Sequence, residues 1–392
     1  MFRNITRNIW LLSLVSLFTD MASEMLYPVM PVYLKHIGFS VLLIGILEGI
    51  AEAVAGLSKS YFGGLSDKSG KRLPFVQLGY ALSALSKPMM ALFTNVAWIF
   101  TARTTDRLGK GIRTGARDAL LNQEANAGSR ATVFGFHRAL DTLGAVIGPL
   151  LALIYLYFYP GQYKTMFLLA FIPGLLAILF TFLVKEKGTQ PVASKRVGLL
   201  YAFQYWKQSK PEYKKLVTGL LIFALINSSD LLLLLRIKES GHSDQEVISI
   251  YIFYNLVYAL LAFPLGKLAD NIGLKKIFLL GLFFFVVTYL GFAISQSIPV
   301  YLMLFFCYGF YAAATEGISK AWISGLVEKQ ETASAIGTYT GFQSIAALIA
   351  SSLAGFLWYR FGAMTAFLFT AVTAALLLVY FWRLVYVHEE KA

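Results

Sequence analysis

Apolar runs of membrane-spanning length recur from one end of this chain to the other, as in Phe278–Ile294 and Ala363–Trp382. A bilayer core takes about 20 apolar residues per helix. Backbone polar groups at that depth must be satisfied within the protein, and a helix does so within its own segment. Of the 392 residues, 57% are hydrophobic and only 14% are charged, with a mean hydropathy of +0.64. An ordinary soluble domain is about 25% charged. The chain therefore reads as an all-α polytopic membrane protein with no large water-soluble domain left over. A net charge of +13 would also suit a nucleic-acid partner. Lys and Arg gather on the cytoplasmic flank of membrane proteins, however, and that reading leaves lipid and a small-molecule substrate as the expected partners. The single cysteine, Cys307, and four scattered histidines (His36, His137, His242, His388) predict no disulfide within the chain and no metal site. The N-terminal MFRNITRNIWLLSLVSLF has no small-residue cleavage site before Asp20, so it reads as a first span.

Twelve spans follow: 8–34, 41–65, 73–94, 97–121, 131–158, 164–184, 215–236, 246–266, 276–294, 299–323, 333–358 and 363–384. The fourth holds DRLGKGIRTGARDALL, Asp106–Leu121, with seven charged side chains between 103 and 118. Topology argues that it crosses all the same. With twelve spans, 20 of the 34 Lys and Arg fall on the cytoplasmic side, 5 outside and 9 within spans. Without the fourth, the basic segment 185–215 would lie outside, against the positive-inside rule. A charge at mid-membrane costs at least ~2.5 kcal/mol, so this helix must face protein or water.

Spacing agrees. Arg103, Arg107, Lys110, Arg113 with Thr114, and Arg117 follow steps of three and four, which is one helical face. Gly109, Gly111 and Gly115 between them permit close packing. A phosphate loop would need glycine at 104 and Ser or Thr at 111, where the chain has Thr104 and Gly111. Acids are available to meet the bases. The first six spans hold Asp20, Glu24, Glu48, Glu52, Asp106, Asp118 and Asp141 against Lys59, Lys87, Arg103, Arg107, Lys110, Arg113, Arg117 and Arg138. Asp20 and Glu24 are four apart, as are Glu48 and Glu52, so each pair shares a face and must take up a proton or find a cation. Intramembrane acids of this kind serve proton relays or structural pairing, and both readings stand for these four. Arg138 and Asp141 are three apart and can pair locally. In the last six spans the charges away from the span ends are Asp230, which has no obvious local partner, and Glu316 with Lys320.

The chain also repeats itself. Gly38–Ser40 (GFS) corresponds to Gly241–Ser243 (GHS) at an offset of 203, and the same offset maps GGLSDKSGKR, Gly63–Arg72, onto GKLADNIGLK, Gly266–Lys275. RATVFGFHRALD at Arg130 fits TASAIGTYTGFQ at Thr332 at an offset of 202. The reading is two pseudo-symmetric six-helix bundles, 1–184 and 215–392, joined by a basic cytoplasmic linker over 185–214. Parallel halves of this kind place a substrate site near the bilayer midplane.

These features resemble the major facilitator superfamily over essentially the whole chain. Gly63, Asp67, Gly70 and Arg72 are similar to its loop signature after the second helix, with a weaker copy at Gly266–Lys275 that includes Asp270. Arg103 followed by Gly109 and Gly111 is similar to its fourth-helix signature, with Arg107 where the first glycine is usual. Gly144, Gly148 and Pro149 resemble its antiporter signature, whose two further glycines are Ala152 and Leu153 here. FTDMASEMLYP with DRLGKGIRTGARDALL resembles a bacterial efflux-type branch. The resemblance implies that Asp67 acts as a conformational latch, meeting a helix N-terminus and basic partners across the two halves.

The expectation is a monomeric secondary transporter in the cytoplasmic membrane, with both termini inside. It is expected to be driven by a proton gradient without any cofactor, and to run as an antiporter exporting a drug or metabolite. Its coupling candidates are Asp20, Glu24, Glu48, Glu52 and Asp230. Uptake of an anionic metabolite or chelator through Arg113 or Arg117 is the alternative. A sensor or enzyme on the same scaffold is a third reading, although no nucleophile–base arrangement supports catalysis.

Overall fold

A computed structural model describes residues 5–27, 29–186, 188, 198 and 201–383. The described residues form helices and no strands. The first six spans are α1 (Arg7–Glu24) with α2 (Met30–His36), α3 (Val41–Ser69), α4 (Leu73–Leu92), α5 (Val96–Glu124), α6 (Arg130–Phe158) and α7 (Tyr163–Thr181). A short helix, α8 (Tyr201–Gln208), follows in the linker. The last six spans are α9 (Pro211–Ala224) with α10 (Asp230–Glu239), α11 (Asp244–Ile272), α12 (Leu274–Ile294), α13 (Ile298–Gly325), α14 (Thr332–Phe361) and α15 (Ala363–Arg383). This is the twelve-span, two-bundle architecture expected from the apolar pattern. The charged fourth span is one continuous helix of 29 residues. The first and seventh spans are each interrupted, ending one helix at Glu24 or Ala224 and starting the next at Met30 or Asp230.

The repeated sequence motifs have a geometric cause. Gly38 and Gly241 adopt φ of +93° and +89°, a region that side chains with a Cβ rarely enter. Ser40 and Ser243, two residues later, cap α3 and α11 by accepting hydrogen bonds from the N–H of Leu43 and Glu246. Gly70 and Gly273, at φ +66° and +107°, end the same two helices.

The chain divides into two compact units. Unit one comprises 1–126, 136–207 and 327–344; unit two comprises 127–135, 208–326 and 345–392. Each therefore takes in the opening turns of a helix, α14 or α6, from the other half of the sequence. In unit one, α5 lies against α3 and α4, and α7 lies against α1 and α4. In unit two, α13 packs between α11 and α12, and α15 lies on α12.

Candidate functional site

The glycines of α5 determine how closely its neighbours approach. A Cβ at Gly109 would lie 2.5 Å from the carbonyl oxygen of Gly79 on α4, and one at Gly111 would lie 2.4 Å from Cβ of Ser58 on α3. A Cβ at Gly115 would lie 2.9 Å from the carbonyl oxygen of Ala333 on α14. Backbone contact at these points brings the charged face of α5 within reach of α3 and α4. Arg103 holds Glu48 of α3 in a two-pronged pair, Nε–Oε1 2.7 Å and Nη2–Oε2 2.9 Å. Arg107 lies 3.7 Å from Glu48 and 3.3 Å from Glu52. Asp106 accepts a hydrogen bond from Lys87 of α4 at 2.9 Å and lies 3.7 Å from Arg103.

Lower on α5, Arg117 pairs with its own neighbour Asp118 at 2.9 Å and donates to Ser16 of α1 at 3.3 Å. Arg113 donates to Ser83 and stands 4.5 Å over the ring of Tyr80. On α6, Arg138 pairs with Asp141 at 2.6 Å, and Ser16 donates to the same carboxylate. The sequence reading expected acids of the first, second and fifth spans to face these bases. That holds for Glu48 and Glu52. Asp141 takes its nearest cation from its own helix, the local pair that its spacing from Arg138 predicts.

Three charges in this region have no hydrogen bond or ion pair from their charged side-chain atoms among the described residues: Asp20 and Glu24 on α1, and Lys110 on α5. One carboxylate oxygen of Glu24 is buried without a partner. Lys110 is exposed although it is the central residue of α5, with fourteen residues on either side. It acts across space on Asp20, Glu24 and Glu52. An exposed ammonium at the middle of a spanning helix must look into water rather than lipid.

The antiporter-like residues lie directly behind the two acids. A Cβ at Gly144 would lie 2.3 Å from the carbonyl oxygen of Leu17 and 3.2 Å from Cβ of Asp20; one at Gly148 would lie 2.6 Å from the carbonyl oxygen of Met21. Pro149 continues α6 past this contact. These glycines let α6 touch the backbone of α1 at the turn that carries Asp20 and Glu24.

The loop signature builds two related contacts. In unit one, Asp67 accepts from the backbone N–H of Ser334 in the first turn of α14 at 2.7 Å and pairs with Arg72 at 3.2 Å. Arg72 also donates to the carbonyl oxygens of Lys329 at 2.6 Å and Ala119 at 3.3 Å. Gly63 makes the approach possible, because a Cβ there would lie 2.5 Å from the carbonyl oxygen of Ala333. In unit two, Asp270 accepts from the N–H groups of Ala131 at 3.0 Å and Thr132 at 2.6 Å in the first turn of α6, and from the Thr132 hydroxyl at 2.6 Å. A carboxylate at a helix N-terminus meets unpaired N–H donors and the positive end of the helix dipole. Glu186, just after α7, does the same for α4, accepting from the N–H of Arg72 at 2.6 Å and Leu73 at 3.0 Å.

Asp230 opens α10 at the interruption of the seventh span and accepts from the hydroxyl of Tyr308 at 2.6 Å. Tyr254 and Tyr311 flank Tyr308 at 5.1 and 5.3 Å between ring centres. Asn227 donates to the hydroxyl of Tyr311 at 2.8 Å. Sequence reasoning found no local partner for Asp230 and did not see that Tyr308, on another helix, serves it. It also missed Ser16, Ser83, Ser334, Thr132 and Glu186, because the partner of a short polar side chain on another helix leaves no signal in its own neighbourhood.

The profile described as the Major Facilitator Superfamily matches residues 12–237 and 216–392. A relative in Methanocaldococcus jannaschii, described as an uncharacterized MFS-type transporter, is 33% identical over 381 residues, covering 95% of this chain and 93% of the relative. A Lactococcus lactis relative, described as a homolog of the multi-drug resistance efflux pump PmrA, is 24% identical over 398 residues, covering 94% and 93%. Among solved structures, the human organic anion transporter TETRAN has a TM-score of 0.76 at 16% identity, over 96% of this chain and 99% of that one. The Escherichia coli fucose:proton symporter has a TM-score of 0.75 at 14% identity, over 98% and 100%. With the sequence profile, the archaeal relative and the fold all in agreement, this multi-pass membrane protein belongs to the major facilitator superfamily of transporters.

Proposed function

We propose that the protein is a proton-coupled antiporter that exports a small molecule by alternating access, with Asp20 and Glu24 as the proton-exchanging groups. One observation carries this reading: of the in-span carboxylates in the first half, these two alone lack an ion pair or hydrogen bond among the described residues. A carboxylate at this depth that has no fixed cation has to exchange protons or bind a cation. Glu48 and Glu52 are each engaged by arginines, and Asp230 by a phenol, so they rank behind. Arg113 and Arg117 are engaged as well, which leaves neither as a ready anion reader.

Export is favoured by the Lactococcus lactis relative and by the tight contact of Gly144 and Gly148 against α1. The bundles 1–184 and 215–392 would rock about the linker, with the Asp67 and Asp270 contacts as latches at one end. The basic segments 66–72 and 185–215 support a cytoplasmic position for that end and for both termini, at the inner membrane.

Screening a deletion strain for growth against toxic compounds and nutrients identifies a solute. Its uphill transport is then measured in everted vesicles. Asp20→Asn and Glu24→Gln are each expected to abolish gradient-driven transport while inserting normally. Wild-type uphill rates in both variants would remove these residues from the mechanism.

A further inference from the structure

The unpaired charges near α1 also say what kind of molecule fits. α1 and α5 run antiparallel, with Asn8 donating to Glu124 at 2.9 Å and Arg117 to Ser16 at 3.3 Å. The turns of Asp20 and Glu24 therefore come opposite those of Arg113 and Lys110. The other charges nearest in effect to the two acids are Asp141, Arg107 and Lys87. These three are already neutralised: Asp141 by Arg138, Arg107 by Glu52, and Lys87 by Asp106. What remains is two carboxylates, Asp20 and Glu24, against two cations, Lys110 and Arg113. The guanidinium of Arg113 is buried, donates to Ser83 and lies on the Tyr80 ring. Lys110 is exposed and donates to nothing among the described residues. With both acids ionised, as they are once a transported proton has left, the residual set carries both signs, sums to zero, and presents one cation and two anions to a ligand.

A purely cationic ligand would leave Lys110 without a counter-charge, and a purely anionic one would leave Asp20 and Glu24 without one. A ligand that carries both signs would not. We propose that the substrate is a zwitterion of the amino-carboxylate class, with Lys110 holding its oxyanion and the Asp20–Glu24 pair its ammonium. This rests on the antiport reading and gives that reading a cause. The substrate ammonium and the transported proton compete for the same carboxylates, so binding the zwitterion expels a proton to water. An anion held by Lys110 alone would do the opposite, since protonating the two acids would strengthen its binding, and that is symport.

The test uses full-length protein in lipid nanodiscs and needs no gradient. The probes are the common α-amino acids, the amines left by their decarboxylation, and the carboxylic acids left by their deamination. Thermal stabilisation and proton release into weak buffer are recorded for each. At least one amino acid is expected to stabilise the protein and release protons, with its amine and its acid both weaker. Lys110→Gln should weaken that amino acid by about tenfold or more, the loss expected for a charge-assisted contact, and leave its amine unchanged. Lys110→Arg should retain most of the binding.

The proposal is overturned if no member of the panel binds, if the amine binds the wild type as well as its parent, if an acid binds with proton uptake, or if Lys110→Gln changes nothing. Should Lys110→Gln fail to insert, the ranking of the three classes by the wild type decides alone. Amino-acid selectivity without proton release, with Asp20→Asn and Glu24→Gln each weakening the amino acid and its amine, would instead sink the antiport reading and spare this one.

Discussion

The two halves of this protein solve the same packing problem with different chemistry. Among the described residues, seven spans are long and apolar enough to cross a membrane by composition alone; two lie in the first six and five in the last six. The first half is held by ion pairs crossing between α3, α4 and α5, such as Glu48–Arg103 and Lys87–Asp106. The second half is held by aromatic rings, with Tyr254, Phe285, Tyr289, Phe305, Tyr308 and Tyr311 in mutual contact around the carboxylate of Asp230. An ionic core binds tightly only when complete, because one missing partner strands a charge. An aromatic core loses contacts gradually. The half with more charge therefore has more to lose.

The largest expected effect is in that ionic core. The Lys87–Asp106 side chains are 4% and 12% exposed. Lys87→Met should cost about 3–5 kcal/mol, the penalty for breaking a buried pair from one side, read as a fall in detergent melting temperature. Adding Asp106→Leu should recover most of it. If the single variant melts like the wild type, the first half is not held by its charges.

Tyr308→Phe is the matching change in the second half. It removes the hydroxyl that donates to Asp230 and keeps the ring, so the loss should be about 1.5–3 kcal/mol. A loss as large as that of Lys87→Met would erase the contrast between the halves.

Glycine substitutions sharpen it further. At Gly144 an added Cβ meets the carbonyl oxygen of Leu17 at 2.3 Å, whereas at Gly281 on α12 it meets side-chain carbons of Thr315 and Ala314 at 2.8 and 2.9 Å. A backbone carbonyl cannot rotate aside and α1 must shift. Gly144→Ala should therefore cost about 1–3 kcal/mol and stop transport, and Gly281→Ala should cost less on both measures.

The smallest effect compares the two latches. Asp67 has a buried arginine partner and a backbone donor; Asp270 has two backbone N–H donors and a hydroxyl. A contact of this type is worth up to about 2 kcal/mol. With Cys307 replaced by serine, the buried Thr338 changed to cysteine reports opening by its alkylation rate. Asp67→Asn should raise that rate severalfold and more than Asp270→Asn does. Equal rates would mean that Arg72 adds nothing to the latch.

Much of the fold was legible because its causes are local. Span number followed from apolar run length, and the fourth span from the side on which lysines and arginines fall. The 203-residue repeat marks places where only glycine fits, at Gly38 and Gly241, followed by Ser40 and Ser243 as caps. The charged site was legible only as an inventory. Spacing on α5 grouped Arg103, Arg107, Lys110, Arg113 and Arg117 as one stripe, yet they have five different environments. Arg117 pairs with Asp118, the adjacent residue, a partner that helical spacing argues against.

Sequence by itself determined that this chain spans a membrane twelve times in two related bundles, since hydropathy, charge asymmetry and capping residues act over a few turns of one helix. Which charges cancel was decided by the tertiary structure alone. The glycines of α5 and α6 set how closely the helices approach, and that approach pairs Arg103 with Glu48 while leaving Asp20, Glu24 and Lys110 open. An ion pair needs its two atoms within about 4 Å, and only the packed helices determine which atoms come that close.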